Sequence, residues 1–265
     1  MKDRILSALS GTYPWKERLH FFPTLGSTND HLRQLAKSGA PRGTAVIADR
    51  QTGGHGRRGR SFHSPEGSGI YLSILLRPQC RPDQLMHLTC AAAVAMCDAV
   101  ERISGFRPGI KWTNDLVCGQ RKLGGILTEL GFGPEGNVDW VIIGIGINCT
   151  QHSEDFPEEL RDMAGSVAMA AGTAPDRALL AAAMLESLHR MSEDLIPRRA
   201  PILDDYRRDC ITLGKEVVLL RGDERSYGLA LDIDETGALV VRFRDGTVKT
   251  VNSGEVSVRG MYGYL

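Results

Sequence analysis

The sequence predicts an α+β protein: a mixed sheet flanked by helices over residues 1–213, followed by a small antiparallel β domain over residues 214–265. Three observations lead there. Apolar strand-like runs (TAVIAD at 44–49, IYLSILL at 70–76, VDWVIIGIGIN at 138–148) are interleaved with segments of helical period. One of those segments, DQLMHLTCAAAVAMCDAVERIS at 83–104, is almost wholly apolar in its middle, as a helix pressed against a sheet should be. From Gly214 the pattern changes to short alternating strands with turns at Gly222, Glu235-Thr236-Gly237 and Asp245-Gly246, a barrel or sandwich of SH3-like size.

Taken in order, Ile5, Leu6 and Leu9 suggest one short helix within residues 1–18, stopped by Gly11 and Pro14. Only 26 residues precede Ser27, too few for a helix-turn-helix with its supporting wing. LHFF (19–22) reads as a strand. Ser27-Thr28-Asn29-Asp30 then offers N-cap residues for a helix carrying Leu32, Leu35 and Ala36 on one face and closed by Gly39 and Pro41. Arg107 to Glu129 reads as two strands joined at Cys118-Gly119-Gln120, and Asp176–Leu195 and Pro201–Leu213 as amphipathic helices.

Lys plus Arg and Asp plus Glu each number 32, so the net charge is zero and any basic site must be local. The six cysteines show no metal-ligand spacing and read as small core residues in a reducing compartment. Charges interrupt the N-terminal segment where a signal peptide would be apolar, and no run approaches a membrane span. A soluble, cytoplasmic protein with no membrane partner is expected.

The stretch richest in chemistry is Asp49–Tyr71, DRQTGGHGRRGRSFHSPEGSGIY. Gly53, Gly54, Gly56 and Gly59 let backbone N–H groups approach a ligand, while Arg57, Arg58 and Arg60 supply forks suited to phosphate oxygens. Gly54, Gly56 and Gly59 satisfy G-x-G-x-x-G, but Ser61–Gly67 contains Pro65 and Gly67 where a dinucleotide-binding turn would open into a helix. The alternative reading is a solvated basic loop. Ser27 and Thr28 are equally explained as caps. Lys111, between Ile110 and Trp112, needs an anion: either a ligand or a pair with Asp115 or Glu129. Gly144 and Gly146 leave room for a ligand or for close packing.

With these segments in hand, the chain resembles the biotin-protein ligases of the type without an N-terminal DNA-binding domain. The motifs are Ser27-Thr28-Asn29, Gln51 followed by GGHGRRGR, Tyr71-Leu72-Ser73, KWTNDL (111–116), RKLGGIL (121–127) and GIGIN (144–148), in the family's order. The resemblance implies a catalytic domain of class II synthetase-like fold and a C-terminal SH3-like β-barrel. It also implies ATP-dependent formation of biotinyl-5′-AMP, release of pyrophosphate, and transfer of biotin to a lysine of a biotin carboxyl carrier domain. ATP with Mg²⁺ is the expected co-substrate and no tightly bound metal is expected.

By the same resemblance Lys111 and Arg57 are the catalytic candidates. Ser27, Thr28, Asn29, Gln51, Gly53, Gly54, His55, Tyr71, Lys111, Gly125 and Gly144 would surround biotin. Arg57, Arg58, Arg60, Phe62, Lys111, Asn114 and Asn148 would meet ATP, and Asp115 the metal. The glycine loop is expected to fold over the intermediate and shield it from water. Three positions depart from the family pattern: His55 for arginine, Phe62 for tryptophan and Thr113 for proline. A lipoate or octanoate ligase would need an apolar tunnel in place of the polar groups, and a biotin-responsive repressor would need a DNA-binding segment; a homodimer is left open.

Overall fold

The structure is a computed structural model that describes residues 1–252 and 257–260. Its centre is a seven-stranded mixed sheet. β1 (Leu19–Leu25) and β2 (Ala45–Gln51) run parallel, connected by α2 (Thr28–Lys37); α1 (Lys2–Ala8) precedes them. β3 (Gly69–Leu76), β4 (Gly109–Lys111), β5 (Asp115–Cys118), β6 (Arg121–Phe132) and β7 (Val138–Asn148) complete it in the order β1-β2-β3-β7-β6-β5-β4, all antiparallel beyond β2. The expected mixed sheet flanked by helices is what forms.

Strand alternation divides the sheet into two faces. Ile70, Leu72, Ile74 and Leu76 of β3, with Val141, Ile143, Ile145 and Ile147 of β7, meet α3 (Leu88–Ser104) and α5 (Arg177–Asp194) in the main core. The alanine run of α3 is buried nearly all round, which lets that helix lie close to its neighbours. The opposite face is covered at one end only, where Leu32 and Ala36 of α2 pack on Val46, Leu75, Trp140 and Ile142. Complete burial of Leu32 alone contributes about 1.5–3 kcal/mol. The rest of that face lies under the 53–65 loop and carries the cleft.

Two sequence expectations shift. The segment 107–129 forms three strands, because Trp112–Asn114 makes a second turn between β4 and β5. The expected helix at 83–104 begins as a separate 3₁₀ turn, Pro82–Leu85, before α3. A short α4 (Val167–Ala171) precedes α5, and α6 (Arg199–Asp209) follows it.

The C-terminal region corrects the expected SH3-like barrel. β8 (Glu216–Arg221), β9 (Glu224–Ile233), β10 (Leu239–Phe243), β11 (Val248–Val251) and β12 (Ser257–Gly260) form one antiparallel sheet in the order β11-β10-β9-β8-β12. A barrel requires its end strands to pair. Here β12 takes the free side of β8, so β11 and β12 lie on opposite edges and, among the described residues, the sheet stays open. Glu255 and Val256 of the anticipated last strand lie outside the described residues. The inner face of this sheet (Val217, Leu219, Ala230, Ile233, Leu239, Val241) joins the main core.

Candidate functional site: a cation-lined cleft

Strand register assembles the site. Ala48, Tyr71, Gly146, Gly125, Asp115 and Lys111 are successive cross-strand partners, one row running across β2, β3, β7, β6, β5 and β4. Direct partners share a face, so the two central glycines leave a trough between Tyr71 and the Asp115–Lys111 pair. A parallel row holds Ser73, Gly144 and Leu127. A Cβ on Gly144 would coincide with the Asn29 amide, and one on Gly146 would strike the Phe62 ring. What packs on those glycines is therefore the protein's own side chains.

One wall is the N-terminus of α2. Ser27 caps it, its hydroxyl accepting from Asp30 N at 3.4 Å. Gln51 Oε1 accepts from both the N–H and the hydroxyl of Thr28, at 2.9 and 3.1 Å, while its Nε2 donates to Ser64 Oγ at 3.2 Å. The fully buried Ser73 hydroxyl lies 2.8 Å from Thr28 Oγ1 and 2.6 Å from Asn29 Oδ1. Asn29 Nδ2 donates to Glu129 Oε1 at 3.1 Å, and Glu129 is paired with Arg33 at 2.6 Å.

The glycine loop forms the roof. Parallel pairing continues past β2, with Thr52 N to Leu25 O at 2.9 Å and Gly53 N to Gly26 O at 2.8 Å, which sets the loop beside Ser27. The loop is a tight hairpin: His55 bridges Ser61, and Gly56 N donates to Arg60 O at 2.7 Å. Arg58 takes a left-handed conformation at φ 59°. Arg57 NH1 donates to Asn114 Oδ1 at 3.0 Å, and Asn114 Nδ2 to Ile126 O at 3.0 Å, so the roof is fastened to the far wall. Burial, then the neighbouring Arg58 charge, pull the Arg57 guanidinium below its ordinary pKa. His55 is turned to the α2 wall, with Nδ1 2.9 Å from Gly53 O and Nε2 3.6 Å from Asp30 Oδ1.

The cleft encloses about 1090 Å³, open solvent at its mouth included. It brings together Ser27, Thr28, Asn29, Gln51, His55, Arg57, Arg58, Arg60, Phe62, Lys111, Asn114, Asp115, Gly125 and Gly144 from the expected set. Four expected residues do not line it. Tyr71 is fully buried and its hydroxyl donates to Pro65 O at 2.9 Å. Asn148 is turned away, donating to Gly165 O at 2.9 Å. Gly53 is exposed beside Gly26, and Gly54 packs against the loop itself, where a Cβ would reach Ser64 Oγ at 2.7 Å.

Sequence reasoning missed Lys122, Trp112 and Leu127 on the lining, where Gly146, read as leaving room for a ligand or for close packing, also lies. Lys122 pairs with Asp115 at 2.6 Å, a neighbour relation that follows from the β5–β6 register. Lys111 is only 6 % exposed. The Trp112–Thr113 peptide is cis. Phe62 stands edge-on to Tyr71, ring centroids 6.4 Å apart. Among the described residues no group of three or more His, Cys, Asp or Glu forms a metal cage, and no helix is long and apolar enough to cross a membrane.

The description "Biotin/lipoate A/B protein ligase family" matches residues 21–148, and "Biotin protein ligase C terminal domain" matches 212–259. The chain is 34 % identical to the biotin–[acetyl-CoA-carboxylase] ligase of Mycobacterium tuberculosis, over 97 % of this chain and 93 % of that protein. It is 36 % identical to the bifunctional ligase/repressor BirA of Bacillus subtilis, over 91 % of this chain and 74 % of that one. A solved biotin protein ligase from Aquifex aeolicus, in complex with biotin and ATP, superposes with a TM-score of 0.78 at 30 % identity, covering 91 % of this chain and 98 % of that one. With both family descriptions matched and this much identity spread over nearly the whole chain, the protein belongs to the biotin protein ligase family.

Proposed function

We propose that the chain is an ATP-dependent biotin–protein ligase that converts biotin and ATP to biotinyl-5′-AMP and pyrophosphate, then transfers biotin to a lysine of an acceptor. The observation carrying this is the charge of the cleft. Five cations (Arg57, Arg58, Arg60, Lys111, Lys122) face a single carboxylate, Asp115, in a chain of zero net charge. Adenylation brings a carboxylate against a triphosphate, and such a lining offsets their repulsion.

In this reading a biotin carboxylate oxygen attacks the α-phosphorus and pyrophosphate leaves; the acceptor amine then attacks the acyl carbon and AMP leaves. Lys111 and Arg57 stabilise the charge that grows at phosphorus. Arg58 and Arg60 meet the outer phosphates, with Asn114 holding Arg57. Ser27, Thr28, Asn29, Gln51, Gly125 and Gly144 frame the biotin end, with Gln51 offering its second amide hydrogen to the ureido oxygen. His55 serves that end through its backbone. Gly53, Gly54, Tyr71, Phe62 and Asn148 support the walls. A single carboxylate already paired with Lys122 is too few donors to hold a divalent ion. Mg²⁺ would therefore arrive with the phosphates, and Asp115 is the one lining carboxylate to meet it.

The acceptor class is a biotin carboxyl carrier domain, and the compartment cytoplasmic. Residues 1–213 act as the catalytic unit and 214–265 as the C-terminal unit, a division supported by their separate sheets. Ile5, Leu9, Tyr13 and Trp15 commit the first segment to the core, so that segment is not itself a free DNA-binding arm. A homodimer would have the edge strand β1 to use, since β4 at the other edge is already bridged by Cys210.

The test is pyrophosphate exchange into ATP with biotin, lipoate or octanoate supplied separately. Exchange with biotin alone is expected. Exchange with lipoate or octanoate in its place would move the chain to the lipoate side of the family, and no exchange would remove the adenylation reading.

A further inference from the structure

Lys111 ends β4, a three-residue strand at the edge of the main sheet. So short an edge strand has few ladder bonds with which to fix its last side chain. Its flanks are held instead by a segment a hundred residues later. Ile110 O accepts from Ile211 N at 2.9 Å, Trp112 N donates to Thr212 Oγ1 at 3.0 Å, and Thr113 O accepts from Tyr206 OH at 3.0 Å. Thr212 and Tyr206 are fully buried. A fourth tether comes from the C-terminal sheet, where Gly237 O, in the β9–β10 turn, accepts from Trp112 Nε1 at 3.0 Å.

That turn is rigid. Asp234 Oδ1 accepts from Thr236 N at 2.8 Å, Thr236 Oγ1 at 2.7 Å and Ala238 N at 3.0 Å. It is seated on α3 so closely that a Cβ on Gly237 would lie 2.8 Å from Cys90 Sγ.

We propose that Thr212 and the Gly237 turn are positioning elements for Lys111, setting the backbone on its C-terminal side and linking adenylation to the docking of the C-terminal sheet. The proposal rests on Lys111 being the adenylation cation. Neither element lines the cleft; each acts through Trp112. Without the Thr212 hydroxyl the buried Trp112 N–H loses its acceptor, and the backbone must move to recover one. The biotin end, on α2, β2, β6 and β7, lies away from the Trp112 backbone, so turnover should fall while biotin affinity holds.

The experiment measures kcat, biotin KM and Tm in biotin-dependent pyrophosphate exchange for Thr212→Val, Thr212→Ser, Trp112→Phe and Lys111→Ala. A displacement of the order of 1 Å costs roughly a hundredfold in rate, so Thr212→Val should lower kcat by about ten- to a hundredfold. Biotin KM should stay within about twofold, and Thr212→Ser should restore turnover. Trp112→Phe, which removes the donor to Gly237, should repeat the kcat loss. Wild-type kcat in Thr212→Val, or equal losses of kcat and Tm in the Val and Ser variants, overturns the proposal. If Thr212→Val does not fold, Trp112→Phe decides alone, and an unchanged kcat there overturns it. Full exchange in Lys111→Ala beside a slow Thr212→Val would instead remove Lys111 from the chemistry, so the two failures read differently.

Discussion

The Gln51 side chain and Thr28 are joined by two hydrogen bonds to one oxygen, at 2.9 and 3.1 Å, and this clamp holds the end of β2 against the N-terminus of α2. Gln51→Ala leaves both Thr28 donors short of an acceptor at a cost of about 1–3 kcal/mol. The expected result is a biotin Kd raised roughly five- to a hundredfold, measured by calorimetry, with Gln51→Glu intermediate because the acceptor survives.

Gly144 is a steric requirement of the same wall. A Cβ there overlaps the Asn29 amide, itself fastened to Ser73 and Glu129. Gly144→Ala should destabilise by about 1–3 kcal/mol through overpacking and weaken biotin binding. Thermal unfolding and calorimetry on one preparation check both.

Arg57 and Asn114 latch the roof. Losing a charged hydrogen bond costs about 1.5–3 kcal/mol, so Arg57→Gly and Asn114→Ala should each speed the escape of biotinyl-AMP by roughly ten- to a hundredfold. Release of labelled intermediate into a trap measures it. An unchanged release rate in Arg57→Gly would show that closure does not depend on the latch.

Much of this was legible locally, and the rest depended on register. The Ser27 cap follows from residues adjacent in sequence and stands where the pattern put it, and the glycine stretch lies between two strands as expected, though its hairpin form was not legible. The Ala48–Lys111 row joins six strands, and Lys122 enters the cleft only because β6 returns beside Asp115. In GIGIN, alternation points Gly144, Gly146 and Asn148 to one face, yet Gly165 draws the Asn148 amide away from the cleft. The barrel expectation failed for a similar reason: counting strands cannot tell that β12 joins β8.

Acid should loosen the joint between α3 and α6. Burial alone would raise the Asp209 pKa, but hydrogen bonds and charge from Arg107 and Arg208 more than reverse this and hold it below the ordinary carboxylate range. A depressed folded-state pKa gives stability that is present above the unfolded value, about 3.9, and is lost as pH falls through the folded value. Asp209→Asn should therefore lower Tm at pH 7 and flatten the Tm profile below about pH 4.

The thiols offer a quick check on packing. Cys118, the last residue of β5, is partly exposed, whereas Cys80, Cys90, Cys97, Cys149 and Cys210 are buried. Burial pushes the Cys149 thiol up to about 12. Native protein should react with a thiol reagent at Cys118 first, and Cys118→Ser should abolish that fast phase.

The central claim is that the cation-lined cleft adenylates biotin with Lys111 at its centre, and biotin-dependent pyrophosphate exchange in Lys111→Ala beside the unaltered chain tests it most directly. Losing one charged contact made in the transition state predicts a fall in kcat of at least about a hundredfold while the variant stays folded. Exchange near the unaltered rate in a folded Lys111→Ala would contradict it.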